Sequence, residues 1–197
     1  MIIPETRLLS ALERPATRWE GRPGLRDAAV LLPWFTDGGE DWILYTVRRH
    51  DLPTHPGEVS FPGGAREGGE SPVDCALREA EEEVGLARDR VDVLGGLPGM
   101  VSIGGFFVEV VFGRIDHPGD LRVDPGEVAE AFAIPLRKLS ERSRWEVRRI
   151  PAPPFARTMP FFVHEGRDLW GLTALFTLEL LGRLGFETPA PRIQREP

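Results

Sequence analysis

The chain is poor in cysteine, in long apolar runs and in positive charge, and each shortage removes a class of protein. Cys75 is the only cysteine of 197 residues, so an internal disulfide framework and a CxxC zinc pair are excluded, and a small buried hydrophobe is its expected role. No apolar stretch approaches the roughly 18 residues of a membrane span. The start, MIIPETRLLSALERP, lacks a basic flank, a long apolar centre and a small-residue cleavage site. The expectation is a cytoplasmic protein with no membrane partner. Lysine and arginine total 24 against 31 acidic residues, a net charge of -7, which argues against a nucleic-acid partner because few phosphate counterions would be displaced. Anionic small molecules stay open, since an acidic site can hold a phosphate ester through a divalent metal. Lys138 is the only lysine, the rest of the positive charge being arginine.

What is present is an ordinary globular composition, 41% hydrophobic and 28% charged, consistent with a single domain over 1–197. Its core is expected at about 26–184, with an N-terminal helix at about 5–14 and a tail at 186–197. Residues 5–13 place Leu8, Leu9 and Leu12 at helical spacing before Pro15. DAAVLLPWF and DWILYTVRR read as hairpin strands about the turn TDGGE, and residues 51–64 as a Pro/Gly-shaped loop around one short strand. VDVLGGLPG, GFFVEVVFGRI, RWEVRRI and PFFVHEG read as strands, IPLRKLSER as a helix, and DLWGLTALFTLELLGRLG as a buried helix ending near Gly185. Strands and helices mix without regular alternation, which predicts an α/β fold of sandwich type with a mixed sheet.

The segment LREAEEEVG packs four carboxylates into residues 79–83. Ser71 as cap and Pro72 in the first turn start a helix that runs to Val84, with Gly85 as its stop. Val73, Ala76, Leu77, Ala80 and Val84 form its apolar face. Glu79, Glu82 and Glu83 stand at i, i+3 and i+4 and are expected to project together, while Glu81 points elsewhere. Each like-charge neighbour costs roughly 0.2–0.5 kcal/mol on an exposed helix, and a hard cation reverses that sign. An acidic helix is by default a solvated face.

The flanks change that reading. Gly64, Glu70, Arg78-Glu79, an apolar residue, Glu82-Glu83, Gly85 and Leu86 stand at the spacing of the Nudix box, and the string resembles that catalytic motif of Nudix hydrolases at every fixed position. Ala80 is a soft match, a larger aliphatic being usual. Beside the resemblance, Gly63 and Gly64 suit a tight turn and close approach of a ligand, and Glu70 is placed to meet Arg78 or the helix N-terminus, which makes Arg78 an orienting residue. The resemblance implies a Nudix-type α/β/α sandwich and hydrolysis of a nucleoside diphosphate derivative. It also implies Mg²⁺ or Mn²⁺ as cofactor, held by Glu79, Glu82, Glu83 and the carbonyl of Gly64. A further acidic group is expected from DPGEVAEAFAIPL, which resembles the family segment where a glutamate precedes a short helix. Glu127 is its candidate and Glu130 the reserve, with a plain surface glutamate as the other reading of Glu127.

LYTVRRHDLPTHPGEVSFPGG resembles the segment before the box in coenzyme A pyrophosphatases of the family, through Leu44, Thr46, Arg48, Gly57, Phe61, Pro62, Gly63 and Gly64. Tyr45, Arg49 and Pro53 depart from it, a leucine, a small residue and an arginine being usual there. DLWGLTALF resembles a Trp-Gly helix near the end of that subfamily, with burial of Trp170 expected. Read as residues, Arg48 and Arg49 suit bidentate contacts to phosphate, Phe61 stacking on a base, and Gly63 close approach of substrate. Exposed strand-end arginines are the other reading of the first two, and core filling the preferred reading of Phe61. His50, His55, His117 and His164 are too scattered for a metal set and read as surface residues. The implied reaction converts coenzyme A or its derivatives to 3′,5′-ADP and 4′-phosphopantetheine or an acyl form. Hydrolysis of ADP-ribose or NADH is the second reading, and a non-catalytic nucleotide sensor the third.

Overall fold

In the computed structural model, residues 1–119, 121–152, 155–189 and 192–195 are described, the side chains of 151–157 and 192–195 excepted. Helix α1 (Glu5–Ala11) precedes β1 (Arg26–Asp37) and β2 (Glu40–Arg48). Short strands β3 (Val59–Ser60) and β4 (Gly63–Ala65) lead into α2 (Pro72–Val84), followed by β5 (Val91–Val101), β6 (Phe106–Ile115) and β7 (Val128–Pro135). After α3 (Leu136–Leu139) come β8 (Trp145–Ala152), β9 (Phe155–His164), β10 (Arg167–Leu169), α4 (Gly171–Arg183) and β11 (Arg192–Arg195).

The larger sheet has seven strands in the order β3-β2-β1-β6-β5, with β4 also on β1 and β7 also on β2. It is mixed: β1 and β6 run parallel from Arg26↔Phe106 to Trp34↔Arg114, whereas β1 pairs antiparallel with β2 and β4. The four-stranded second sheet is built on β9. β1 reads as an almost unbroken apolar run because both of its faces are covered. On one face, Ala29, Leu31 and Val111 pack against Cys75, Ala76, Ala80 and Val84 of α2. On the other, Leu32, Val110 and Phe112 share a core with Leu8 of α1, Leu136 of α3, Phe162 of β9 and Phe176 of α4. Helix, sheet and a second layer of helices and strands form the expected α/β sandwich. Among the described residues no helix is long and apolar enough to cross a membrane.

The differences from expectation are local. IPLRKLSER keeps only the one turn of α3 as α-helix, Ser140 then closing it. Residues 128–135, expected to include a short helix, are strand β7, because Val128–Pro135 finds an open partner edge in β2. Residues 51–64 contain β3 and the start of β4, and the expected tail contains β11, paired with β9.

Candidate active site

Helix α2 is fixed at both ends. The Ser71 hydroxyl accepts the Asp74 N–H at 3.1 Å, and the Asp74 carboxylate accepts the Ser71 N–H at 3.4 Å, a reciprocal cap. At the other end Gly85 takes the left-handed conformation (φ 67°), its N–H reaches the carbonyls of Ala80 and Glu81, and Leu86 N–H returns to Ala80. With its apolar stripe seated on β1 and β6, the helix has no freedom left to choose where its glutamates point.

They point to different places. Glu83 is only 3% exposed; its Oε2 accepts the Gly63 N–H at 3.3 Å and its Oε1 lies 3.9 Å from Arg48 Nη1. Burial, reinforced by the charge of Glu79 and partly offset by Arg48, drives its carboxyl from 4.5 up to about 8. Glu79, 13% exposed, lies against Gly64 and is also pushed above the ordinary carboxylate range, by burial first, with Arg78 pulling it back. Glu82 is 59% exposed and turns to Arg78, with Nη1 to Oε2 at 2.9 Å. Glu79 and Glu82 do converge, each 2.9 Å from Arg78 Nη1, while Glu83 turns inward; among the described residues no three His, Cys, Asp or Glu side chains are grouped as a metal set. The cause is Arg78, one turn before Glu82, which draws Glu82 sideways while Glu83 follows the buried stripe of Ala76 and Ala80.

Arg78 orients the rest of the site. It donates to Glu70 at 3.0 and 3.1 Å, to Glu79 at 2.9 Å and to the Ala65 carbonyl at 3.2 Å. Hydrogen bonding from Arg78 holds the Glu70 carboxyl below its usual range. The Trp19 indole N–H donates to the Glu70 carbonyl at 2.7 Å, a contact from 51 residues away that no local pattern announces. Cys75 is buried on the same helix, and burial pushes its thiol up to about 12, so it stays protonated near neutral pH.

The paired glycines matter for space, since neither has a positive φ. A Cβ on Gly63 would stand 2.5 Å from the Ala29 carbonyl oxygen, and one on Gly64 would stand 2.3 Å from the Glu79 carboxylate. Arg48, at the end of β2, carries a buried Nε with no partner among the described residues. Arg49, expected at a phosphate, is instead engaged with Asp51 (Nε to Oδ1, 2.7 Å) and with the Pro125 carbonyl (2.7 Å). Phe61 lies in the core, the preferred of its two readings, and the substrate contact is the one set aside: the residue is 2% exposed and stacks on Tyr45 with ring centroids 5.0 Å apart. Glu127 opens onto solvent just before β7, close enough for its charge to raise the carboxyls of Glu79 and Glu83. Glu130, the reserve acid, is bound at both oxygens by Arg167, at 2.7 and 2.8 Å. Trp170 is half-buried and stacks on Phe161. The histidines do not gather into a metal set, although His164 is buried where a surface residue was expected.

Glu83 is a buried acid with Arg48 no nearer than 3.9 Å, Glu79 is a partly buried one that shares Arg78, and the Arg48 Nε beside them has no partner among the described residues. An all-oxygen set of this kind fits a hard divalent cation, with Glu82 able to join only by leaving Arg78. A cavity of about 980 Å³, lined by Trp19, Phe107 and Glu109, contains none of the box glutamates.

The model of the NUDIX domain matches residues 25–155, spanning β1, the glycine pair and all of α2. The chain belongs to the Nudix family. It is 35% identical over 156 residues to the "Uncharacterized Nudix hydrolase NudL" of Photorhabdus laumondii, covering 79% of this chain and 83% of that protein. It is also 35% identical over 194 residues to the human "Mitochondrial coenzyme A diphosphatase NUDT8", covering 96% of this chain and 81% of that one. Among solved structures, the Nudix hydrolase RenU of M. smegmatis superposes with a TM-score of 0.51 at 24% identity, over 64% of this chain and 82% of that one, which supports the fold. The chain is thus a Nudix hydrolase.

Proposed function

We propose that this Nudix hydrolase is a cytoplasmic, divalent-metal-dependent pyrophosphatase that splits coenzyme A or its derivatives into 3′,5′-ADP and 4′-phosphopantetheine or its acyl form. The observation that carries the substrate is the 35% identity to the human coenzyme A diphosphatase along 96% of this chain. Water adds to one phosphorus, the P–O–P anhydride opens, and a carboxylate takes the proton that water loses. Glu127 is the residue proposed for that proton, as a solvent-facing acid near Glu79 and Glu83. Glu79, Glu82, Glu83 and the Gly64 carbonyl would hold Mg²⁺ or Mn²⁺, which when bound would supply positive charge to offset the charge developing on the diphosphate. Arg48 offers its unpartnered donor to a phosphate oxygen, and Arg78 keeps Glu79 and Glu82 oriented.

A second reading, hydrolysis of ADP-ribose or NADH, draws support from the same segment. Pro53 stands where an arginine is usual and Arg49 is already engaged, so Arg48 alone of this pair is available to an extra phosphate. The deciding experiment compares initial rates on coenzyme A, ADP-ribose and NADH in ¹⁸O-water, with products read by mass spectrometry. The first reading expects coenzyme A to be fastest, with one ¹⁸O in either 3′,5′-ADP or phosphopantetheine. Equal or faster turnover of ADP-ribose would refute it.

A further inference from the structure

We infer that Arg49 is a positioning residue that clamps the loop carrying Glu127, and not a contact for substrate phosphate; the inference rests on the reading above that Glu127 serves the hydrolysis. Within the loop Asp124 ties the turn, its carboxylate accepting the Gly126 N–H at 2.7 Å and its carbonyl accepting the N–H of Glu127 at 3.1 Å and of Val128 at 2.9 Å. Asp124, Pro125, Gly126 and Glu127 are all exposed, and an exposed Pro-Gly stretch holds a side chain in place only if its backbone is tied down.

The ties are present on two sides. Toward the catalytic helix, Arg122 N–H donates to the Val84 carbonyl at 3.1 Å and Asp124 N–H to the Glu83 carbonyl at 2.9 Å, so the loop takes up carbonyls that α2 leaves open at its C-terminus. Toward β2, Arg49 holds it twice. Its own N–H donates to the Glu127 carbonyl at 3.0 Å, and its guanidinium Nη1 donates to the Pro125 carbonyl at 2.7 Å. The remaining face of the guanidinium is occupied by Asp51, Nε to Oδ1 at 2.7 Å with Nη2 on the other oxygen. This two-point pairing fixes the fork's orientation as a single bond would not. Glu127 thus sits between a strap to α2 and a strap to β2, and removing the Arg49 side chain takes away the bond to Pro125 while the backbone bond to Glu127 and the Glu127 carboxylate stay intact.

The test is a kinetic cycle of Arg49→Ala, Glu127→Ala and the double variant, run with saturating metal on whichever of coenzyme A or ADP-ribose the wild type turns over faster. A displaced general base predicts that Arg49→Ala lowers kcat by about 10- to 100-fold at unchanged KM. Added to Glu127→Ala, it should produce no further loss, because both changes disable one device. Asp51→Asn, which leaves Arg49 present but free to swing, should give a smaller fall in kcat, again without a change in KM. A rise in KM at constant kcat in Arg49→Ala would mark a phosphate contact and overturn the inference. So would losses that multiply in the double variant, or full kcat in either single variant. A preference for ADP-ribose defeats the coenzyme A reading and leaves this cycle unaffected, so the two failures are distinguishable.

Discussion

Replacing Glu83 by glutamine should stabilise the metal-free protein at pH 8 while abolishing most of its activity. In the native state, burial keeps the Glu83 proton up to about pH 8, whereas the unfolded chain releases it near 4.5. Between those values the native state binds the extra proton, so stability falls as pH rises; the contribution is complete below 4.5 and lost by about 8. One proton sets a ceiling of about 1.4 kcal/mol per pH unit. For a chain of this length that is about 3–5 °C per unit in the thermal midpoint. Glutamine preserves the shape and removes the titration. Melting curves in a chelator from pH 5 to pH 8 should show the midpoint of the variant rising relative to wild type across the window. Turnover should fall by orders of magnitude in Glu83→Gln, and in Glu82→Gln as well. A constant difference between the two melting profiles from pH 5 to pH 8 would show that Glu83 is charged throughout, and the desolvation argument would fail.

The glycine pair separates stability from function. Gly63→Ala drives a Cβ into the backbone at Ala29 and should cost about 1–3 kcal/mol, seen as a lower midpoint, while Gly64→Ala meets only the Glu79 carboxylate and should lower kcat in a protein that still melts near wild type. Phe61→Leu should destabilise by about 1–2 kcal/mol and leave KM unchanged, since its ring is enclosed with Tyr45; a raised KM in a normally stable variant would return Phe61 to the substrate. Binding of Mg²⁺ or Mn²⁺ at pH 7 should release close to one proton, measured by titration calorimetry in buffers of different ionisation enthalpy, because Glu83 is protonated in the metal-free site.

Much of the fold was legible because its signals are local. Apolar, β-prone runs and the turns between them located β1, β2, β5, β6, β8 and β9, and a cap, a proline and a glycine bounded α2. What escaped depends on partners distant in sequence. The identity of β7 was decided by the open edge of β2, and the length of α3 by where β7 ends. Within the site, helical spacing placed Glu79, Glu82 and Glu83 correctly along α2 but did not separate their fates. One signal was available for Glu83: it stands three residues after Ala80 and seven after Ala76, on the buried stripe. The engagement of Arg49 was not legible, because Pro125 is 76 residues away.

Like charges on one helical turn should repel, and the site meets that repulsion by giving each glutamate a different solution. Glu82 is neutralised by Arg78 in solvent, where an ion pair adds little stability but fixes a direction. Glu79 shares the same guanidinium under partial burial. Glu83, too far inside for Arg48 to compensate fully at 3.9 Å, keeps its proton instead. The carboxylates therefore coexist by being protonated or diverted, and under the proposed metal dependence each of those states would be undone when a cation binds. Arg78 is held by Glu70 and Ala65 even after Glu82 departs, so exchange at Glu82 does not release the arginine. On that proposal burial would make Glu83 the stronger ligand once ionised, since its charge is little screened, and Glu82 at the rim would supply a carboxylate able to move in without unpacking the helix.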